Sequence, residues 1–291
     1  MGARDRTGRS RRPRTGQARA GLRGVLADIV VGEGGGAIER LEAHFARDGY
    51  ALHRHDTYAI GITLSGVQTF RYRGSQRYSL PGECHILHPD EPHDGAAADE
   101  RGFGYRIAYI DPLLVQQVLG GRPLPFVEEP VLDLAPAYRQ LLSVAWDMND
   151  PVDALRQAEI GAAIAEVLEG LASPRSARRE PLDLPALLRV REVLTDVPQP
   201  MFSVADLERQ AGLDRWTLAR QFRAAFGTSP TRFRTMRQLD RVRVLLRSGI
   251  SLTDASAHAG FSDQCHMSRQ FKLAYGCSPG KWASSLSPLA H

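Results

Sequence analysis

Two patterns of apolar residues divide this chain. In its N-terminal third, short runs alternate apolar and polar positions: YAIGITL (58–64), VQTFRYR (67–73), CHILHP (84–89) and GYRIAYI (104–110), punctuated by SG, RG, PG and DG pairs. A period of two, broken by turn residues, predicts strands, and their even spacing predicts a small β-barrel or jelly roll over 24–112. Beyond Pro112 the period lengthens. LLVQQVL (113–119) predicts a short amphipathic helix with Leu113, Leu114, Gln117 and Val118 on one face. Between 137 and 171, Leu141, Leu142, Ala145 and Met148, then Leu155, Ile160, Ile164 and Leu168, keep near-helical spacing. SPRSARREPLD (173–183) has no period and reads as a linker, after which 187–194 begins a further helix.

The last part of the chain repeats itself. GFSDQCHMSRQFKLAYGCSP (260–279) reads as a turn and a helix: Gly260 supplies a left-handed turn, Ser262 is placed to cap, and Met267, Phe271 and Tyr275 form a buried stripe. Gly276 ends the helix and Pro279 prevents its resumption. AGLDRWTLARQFRAAFGTSP (211–230) has the same plan, with Leu218, Phe222 and Phe226 in the buried places. Before each lies a capping-box-like start, SVAD at 203–206 and SLTD at 251–254. The offset is 48 before the turn (251 minus 203) and 49 after it (269 minus 220), so the second copy has one extra turn residue. Between the copies, 231–247 is a helical run with Phe233, Met236, Leu239, Val242 and Leu246 on one face, about 25 Å long at 1.5 Å per residue. It is suited to holding two reading heads roughly 34 Å apart, one turn of duplex.

On these residues, 184–291 resembles the double helix-turn-helix DNA-binding domain of the AraC/XylS family of bacterial transcription regulators. The resemblance implies that the outward positions of each second helix meet bases: Arg215, Trp216, Ala219 and Arg220 in the first unit, and Gln264, Cys265, His266 and Arg269 in the second. Arginine suits guanine O6 and N7, and glutamine suits adenine. Arg223 and Lys272 are placed for phosphates. Two positions depart from the family pattern. Where the helix before the turn usually has an aliphatic residue followed by alanine, the first copy has Leu207 and Glu208, and the second Ala255 and Ser256. A buried carboxylate at 208 would need a partner, and the second unit loses packing volume.

Charge supports the division. From 184 to 291 there are 15 basic and 8 acidic residues, net +7, and the first 23 residues carry 8 arginines and 1 acid, another +7. With an overall charge of +4, residues 24–183 therefore carry −10. The basic excess that counterion release on DNA requires sits at the two ends. Residues 1–23 have hardly an apolar side chain and read as a disordered tail rather than a targeting segment. There is no long apolar run, so no membrane span is expected. Cys84, Cys265 and Cys277 are scattered, with no CxxC, which predicts no disulfide framework or zinc finger and a reducing cytosol.

HRHDTYAIG followed by LPGECHILHPDEPHDG resembles the cupin-type ligand domain found at the N-terminus of many members of the same family. His53 and His55, two apart on an extended strand, face the same way, and His93 is positioned to complete a three-imidazole set. Catalytic cupins follow HxH with a glutamate a few residues on, where this chain has Tyr58, Ala59 and Ile60. No cofactor and no catalytic metal is therefore expected. His53, His55, Tyr58, Tyr72 and His93 are read instead as polar lining of a small-molecule pocket.

The expectation is a two-domain α and β protein: a tail (1–23), a cupin-like β domain (24–112), a helical dimerisation and interdomain region (113–172), a linker (173–183) and the double helix-turn-helix domain (184–291). The resemblance implies a cytoplasmic, nucleoid-associated homodimer, no enzyme, that binds double-stranded operator DNA under control of a small-molecule effector. Family members are mostly activators, which implies RNA polymerase as a further partner. The alternatives are a metal-dependent cupin enzyme with a DNA-binding appendage and a ligand-independent DNA-binding dimer.

Overall fold

The computed structural model describes residues 26–32, 36–46, 49–173, 181–196 and 202–284. The basic tail and most of the expected linker lie outside these residues. The N-terminal part is built from β1 (Leu26–Val31), β2 (Ile38–Phe45), β3 (Tyr50–His53), β4 (Tyr58–Gly66), β5 (Gln68–Tyr72), β6 (Ser75–Ser79), β7 (Cys84–Leu87), β8 (His93–Ala97), β9 (Phe103–Ile110) and β10 (Val131–Leu132). They form two antiparallel sheets, ordered β1-β2-β9-β4-β7-β10 and β3-β8-β5-β6. The strand alternation sorts side chains between two cores. Leu41, Ala43, Phe45, Ala59, Phe70, Tyr72, Leu87, Phe103, Tyr105, Ile107 and Tyr109 fill the space between the sheets. Their neighbours Ile38, Tyr58, Ile60, Cys84, Ile86, Ala108 and Ile110 face the other way, into a helical layer.

That layer is α1 (Pro112–Leu119), α2 (Pro136–Trp146) and α3 (Ala154–Leu171). Helix α1 starts sharply because Asp111 accepts a hydrogen bond from the Leu113 N–H and Pro112 needs no donor partner. Its buried face is Leu114, Val115, Gln116 and Leu119, whereas Gln117 and Val118 are exposed, so the apolar face lies a residue or two away from the one expected from spacing. The expected run from 137 to 171 is two helices. Residues 147–153 form a loop ended by the Asp153 cap, and the Arg40 guanidinium pins that loop by donating to the Asp147 and Asp150 carbonyls. Met148 is thus in a loop, and Leu155 is 69% exposed. Ile160, Ile164 and Leu168 are buried against Leu114, Leu142 and the back of the larger sheet.

The C-terminal part is all helix: α4 (Leu184–Thr195), α5 (Val204–Ala211), α6 (Arg215–Phe226), α7 (Pro230–Arg247), α8 (Leu252–His258), α9 (Gln264–Tyr275) and α10 (Pro279–Ser284). The two capping starts form as read: Ser203 and Asp206 make a reciprocal box, and Ser251 accepts from the Asp254 N–H. Gly227 and Gly276 close α6 and α9 at φ of 72° and 71°. Helix α7 serves two cores. Phe233 packs with Leu187, Leu218, Phe222 and Phe226, while Met236, Leu239, Val242 and Leu246 pack with Ala255, Met267, Phe271 and Trp282. One rigid helix therefore fixes the two helix-turn-helix units against each other.

The two parts interlock. The Leu124 N–H donates to the Ala224 carbonyl at 2.8 Å, and the Arg54 N–H to the Leu273 carbonyl at 3.1 Å, so strand-side backbone meets the C-terminal half of both α6 and α9. Ion pairs follow one polarity, acid on the β side and arginine on the helical side: Asp111 with Arg191, Asp56 with Arg237, and Asp90 with Arg232. The opposite charges of the two regions are thus spent partly on each other. Among the described residues, no helix is long and apolar enough to cross a membrane.

Candidate nucleic-acid interface and effector site

Each second helix of the repeat presents an outward N-terminal half. In α6, Asp214 caps the helix by accepting from the Trp216 and Thr217 N–H groups, and its exposed carboxylate is held below the usual range first by Thr217. Arg215, Trp216, Ala219 and Arg220 are all exposed, and Trp216 is 72% so, with the Arg215 guanidinium 4.8 Å over its ring. A large apolar ring left in water beside a cation suits a sugar or a thymine methyl. In α9 the cap is Asp263, which accepts from the His266 N–H at 2.6 Å; Ser262, expected as the cap, bonds to the Asp263 carboxylate instead. Cys265 and Arg269 are exposed, His266 is half-buried edge-on against Phe261, and the Gln264 amide oxygen accepts from Thr253 Oγ1 at 2.8 Å. Gln264 is therefore oriented by the preceding helix before any ligand arrives.

Three expectations change in the structure. Glu208 is not buried without help: half-exposed, it accepts the Arg215 backbone N–H at 2.7 Å, so the departure from the family pattern becomes a second anchor for the start of α6. Arg223 lies toward the other end of α6, 4.0 Å from Asp90, and faces the β domain rather than the outward half of its helix. Lys272 is exposed. Tyr275, expected in the buried stripe of α9, is half-buried and donates its hydroxyl to Asp240 at 3.0 Å.

Of the five residues read as pocket lining, the structure brings three together. His53 and His93 are cross-strand partners, and a shift in register between Tyr50 and His53 lets both of those side chains face the same space. His55 joins them, with ring centroids 4.9 Å from His93 and 5.9 Å from His53. One ring nitrogen from each lies within 4.8 Å of the others. Tyr72 pairs with His93 on the neighbouring strand and points between the sheets, where its hydroxyl accepts the His88 N–H at 2.9 Å. Tyr58 stands apart. Even-numbered positions of β4 face the helical layer, so Tyr58 is buried there against His88, with burial raising its phenol above the usual range.

The reading from sequence missed His85. It sits on the inner face of β7, with Phe70 and Tyr105 near it, and neither ring nitrogen has a hydrogen-bond partner among the described residues. Burial, then His93, pushes its pKa down to about 3. A side chain at Gly61 would run into its ring at 2.3 Å, which explains the glycine in the middle of β4. The alternation within CHILHP, with Cys84 and Ile86 on one face and His85 on the other, was the signal available. Also unforeseen is a cleft of about 380 Å³ between the β domain and α7. Arg40, Asp56, Tyr109 and Asp111 line one wall, and Arg237, Asp240, Arg243 and Arg247 the other.

The comparisons agree with this architecture. The model of the AraC-like ligand binding domain matches residues 35–188, more than half of the chain, and a helix-turn-helix domain model matches 207–285. The chain belongs to the AraC family of transcription regulators. The HTH-type transcriptional regulator ExsA of Pseudomonas aeruginosa is 28% identical over 81 residues, 28% of this chain and 29% of that protein. The HTH-type transcriptional activator RhaS of Escherichia coli O157:H7 is 40% identical over 78 residues, 26% and 27% of the two chains. The chain thus aligns with under a third of the length of these relatives. ToxT from Vibrio cholerae has the same fold: one structure superposes with a TM-score of 0.60 at 10% identity, covering 87% of this chain and all of that one. Another, with an unsaturated fatty acid bound, gives 0.60 at 12% identity and covers 93% and 100%.

Proposed function

We propose that this chain is a sequence-specific DNA-binding transcription regulator, and an activator, that reads an operator with the N-terminal halves of α6 and α9. The observation that carries the reading is the pair of matched, exposed recognition faces fixed on one shared helix, α7. Arg215, Trp216, Ala219 and Arg220 meet bases in one half-site, and Gln264, Cys265, His266 and Arg269 in the other. Lys272 meets phosphate, and Arg223 does so only where the contact with Asp90 opens. Selection of bound sequences from random duplex, repeated at several salt concentrations, tests this; binding that depends on salt but never on sequence would overturn it.

The effector is a small carboxylic acid held in the cleft between the β domain and α7. Four arginines, Arg40, Arg237, Arg243 and Arg247, line this cleft together with Glu39, Asp56, Asp111 and Asp240, and both domains contribute walls, so an occupant has different contacts when they separate. The ToxT structures of the same fold carry an unsaturated fatty acid in one case and a naphthalenyl butenoic acid in another. A rise in melting temperature with one acid among many, lost in Arg243→Ala, supports the assignment. No rise with any acid favours the reading of a ligand-independent DNA-binding protein. A homodimer working with RNA polymerase in the cytoplasm, without catalytic activity of its own, completes the proposal.

A further inference from the structure

The histidine cluster has the features of a metal site that the cleft does not use. Each of the three imidazoles is turned by a backbone carbonyl two residues away: His53 Nδ1 lies 2.9 Å from the Ala51 oxygen, His55 Nδ1 2.9 Å from Thr57, and His93 Nδ1 3.0 Å from Glu91. A carbonyl only accepts, so each Nδ1 carries the proton and each Nε2 keeps its lone pair. That is the tautomer and orientation in which protein histidines ligate metals, with the outer partner already in place. One ring nitrogen of each histidine lies within 4.8 Å of the others. Tetrahedral zinc with bonds of about 2.0–2.1 Å needs them roughly 3.3 Å apart, which small ring rotations reach. The donors come from β8, from β3 and from the segment after it, and His55 and His93 are 1% and 2% exposed. Three neutral imidazoles and no carboxylate in the set select borderline first-row divalent ions over magnesium or calcium.

The same segment touches the DNA-binding part. Arg54, between two of the histidines, donates its N–H to the Leu273 carbonyl of α9 and accepts from Arg232 Nη2 of α7 at 3.4 Å. Asp56, next after His55, bonds Arg237 of α7. His53 and His55 flank Arg54, so an ion held by both constrains the peptide groups on either side of it.

We propose that His53, His55 and His93 bind one zinc-like divalent cation, and that its occupancy changes how α7 and α9 are held, so that this regulator senses the metal. The sensing half rests on the DNA-binding reading; the metal site does not. The test uses the full chain, stripped with chelator and titrated with cobalt, whose visible d–d bands report tetrahedral nitrogen ligation, and with zinc by calorimetry. One equivalent is expected to bind, and His53→Ala, at the half-buried position, to weaken it by at least ~100-fold while the far-ultraviolet circular dichroism is unchanged. His93→Gln provides a second variant if His53→Ala does not fold. Uptake that is absent, or equal in wild type and both variants, overturns the site. Operator affinity measured with and without zinc then separates the halves. A change in wild type that is lost in His53→Ala supports sensing, and equal affinities overturn sensing while leaving the site. Sequence-independent binding in both conditions would instead be a failure of the DNA-binding reading.

Discussion

The Asp56 carboxylate and the Arg237 guanidinium meet at 2.8 Å, tying the segment after β3 to the helix that holds both helix-turn-helix units. Both side chains are largely buried, 6% and 23% exposed. Burial is the largest influence on Asp56 and holds its carboxyl above the usual carboxylate range although Arg237 opposes it. Burial also works against the charge of Arg237, but Asp56, Asp240 and Asp111 outweigh it and hold that guanidinium above its usual range.

Removing one partner leaves the other charge stranded. Arg237→Met is expected to cost about 3–5 kcal/mol in urea unfolding, and Asp56→Asn/Arg237→Met to recover most of that loss. In the single variant the folded state keeps a proton on Asp56 that the unfolded chain releases above about pH 4. Stability should then fall as pH rises from about 4 to 7, and the double variant should lose this slope. A single variant as stable as wild type would mean that the pair clamps nothing.

Base reading and phosphate contact separate by salt. Arg269→Ala should lower affinity for the selected operator by about 1–3 kcal/mol and relax preference at one base pair, with the salt slope little changed. Lys272→Ala should weaken all sequences alike and reduce the slope by about 1. Filter binding over a salt series distinguishes the two, and an Arg269→Ala protein with unaltered preference would remove Arg269 from the set of readers.

Glu208 accepts the backbone N–H of Arg215, so its carboxylate anchors the first turn of the recognition helix α6. Glu208→Ala should destabilise the fold by about 1 kcal/mol and raise amide exchange at Arg215. Glu208→Gln, which keeps an acceptor, should recover part of the protection. Unchanged exchange in the alanine variant would show that Asp214 alone holds this end.

His88 is buried against Tyr58 and Phe126, and its Nε2 accepts the Val127 N–H at 3.2 Å. Burial, then Arg73, pushes its pKa down to about 3. The folded state therefore refuses a proton that the unfolded chain takes up below about pH 6.5, and stability is lost as pH falls from about 7 to 5, by up to about 1.4 kcal/mol per pH unit for this group. His88→Gln keeps an acceptor for Val127 but does not titrate. Its unfolding free energy should fall less over that range, and an identical decline would assign the acid sensitivity elsewhere.

Local chemistry determined much of this protein. Alternation in 58–64 and 104–110, the Ser203 and Ser251 starts, the glycines at 227 and 276 and the stripe from Phe233 to Leu246 each act within a few residues, so strands, caps and the shared helix α7 were legible in the sequence, as were the faces carrying Arg215 and Arg269. Parity along a strand suggested that His53 and His55 share a face; β3 ends at His53, and His55 joins it from the segment that follows. The same parity, applied to β4, separates Tyr58 from them, but only the sheet shows which side is the interior. What tertiary structure alone decided lies between segments distant in sequence. The Arg40 guanidinium holds the loop between α2 and α3, and Asp90, over a hundred residues from Arg223, lies 4.0 Å from that arginine. The pairing of β3 with β8 brings His93 to His53, and the docking of α7 makes the cleft. Periodicity records which face of an element is apolar; it carries no record of which other element covers that face, because that is settled by the packing of the whole chain.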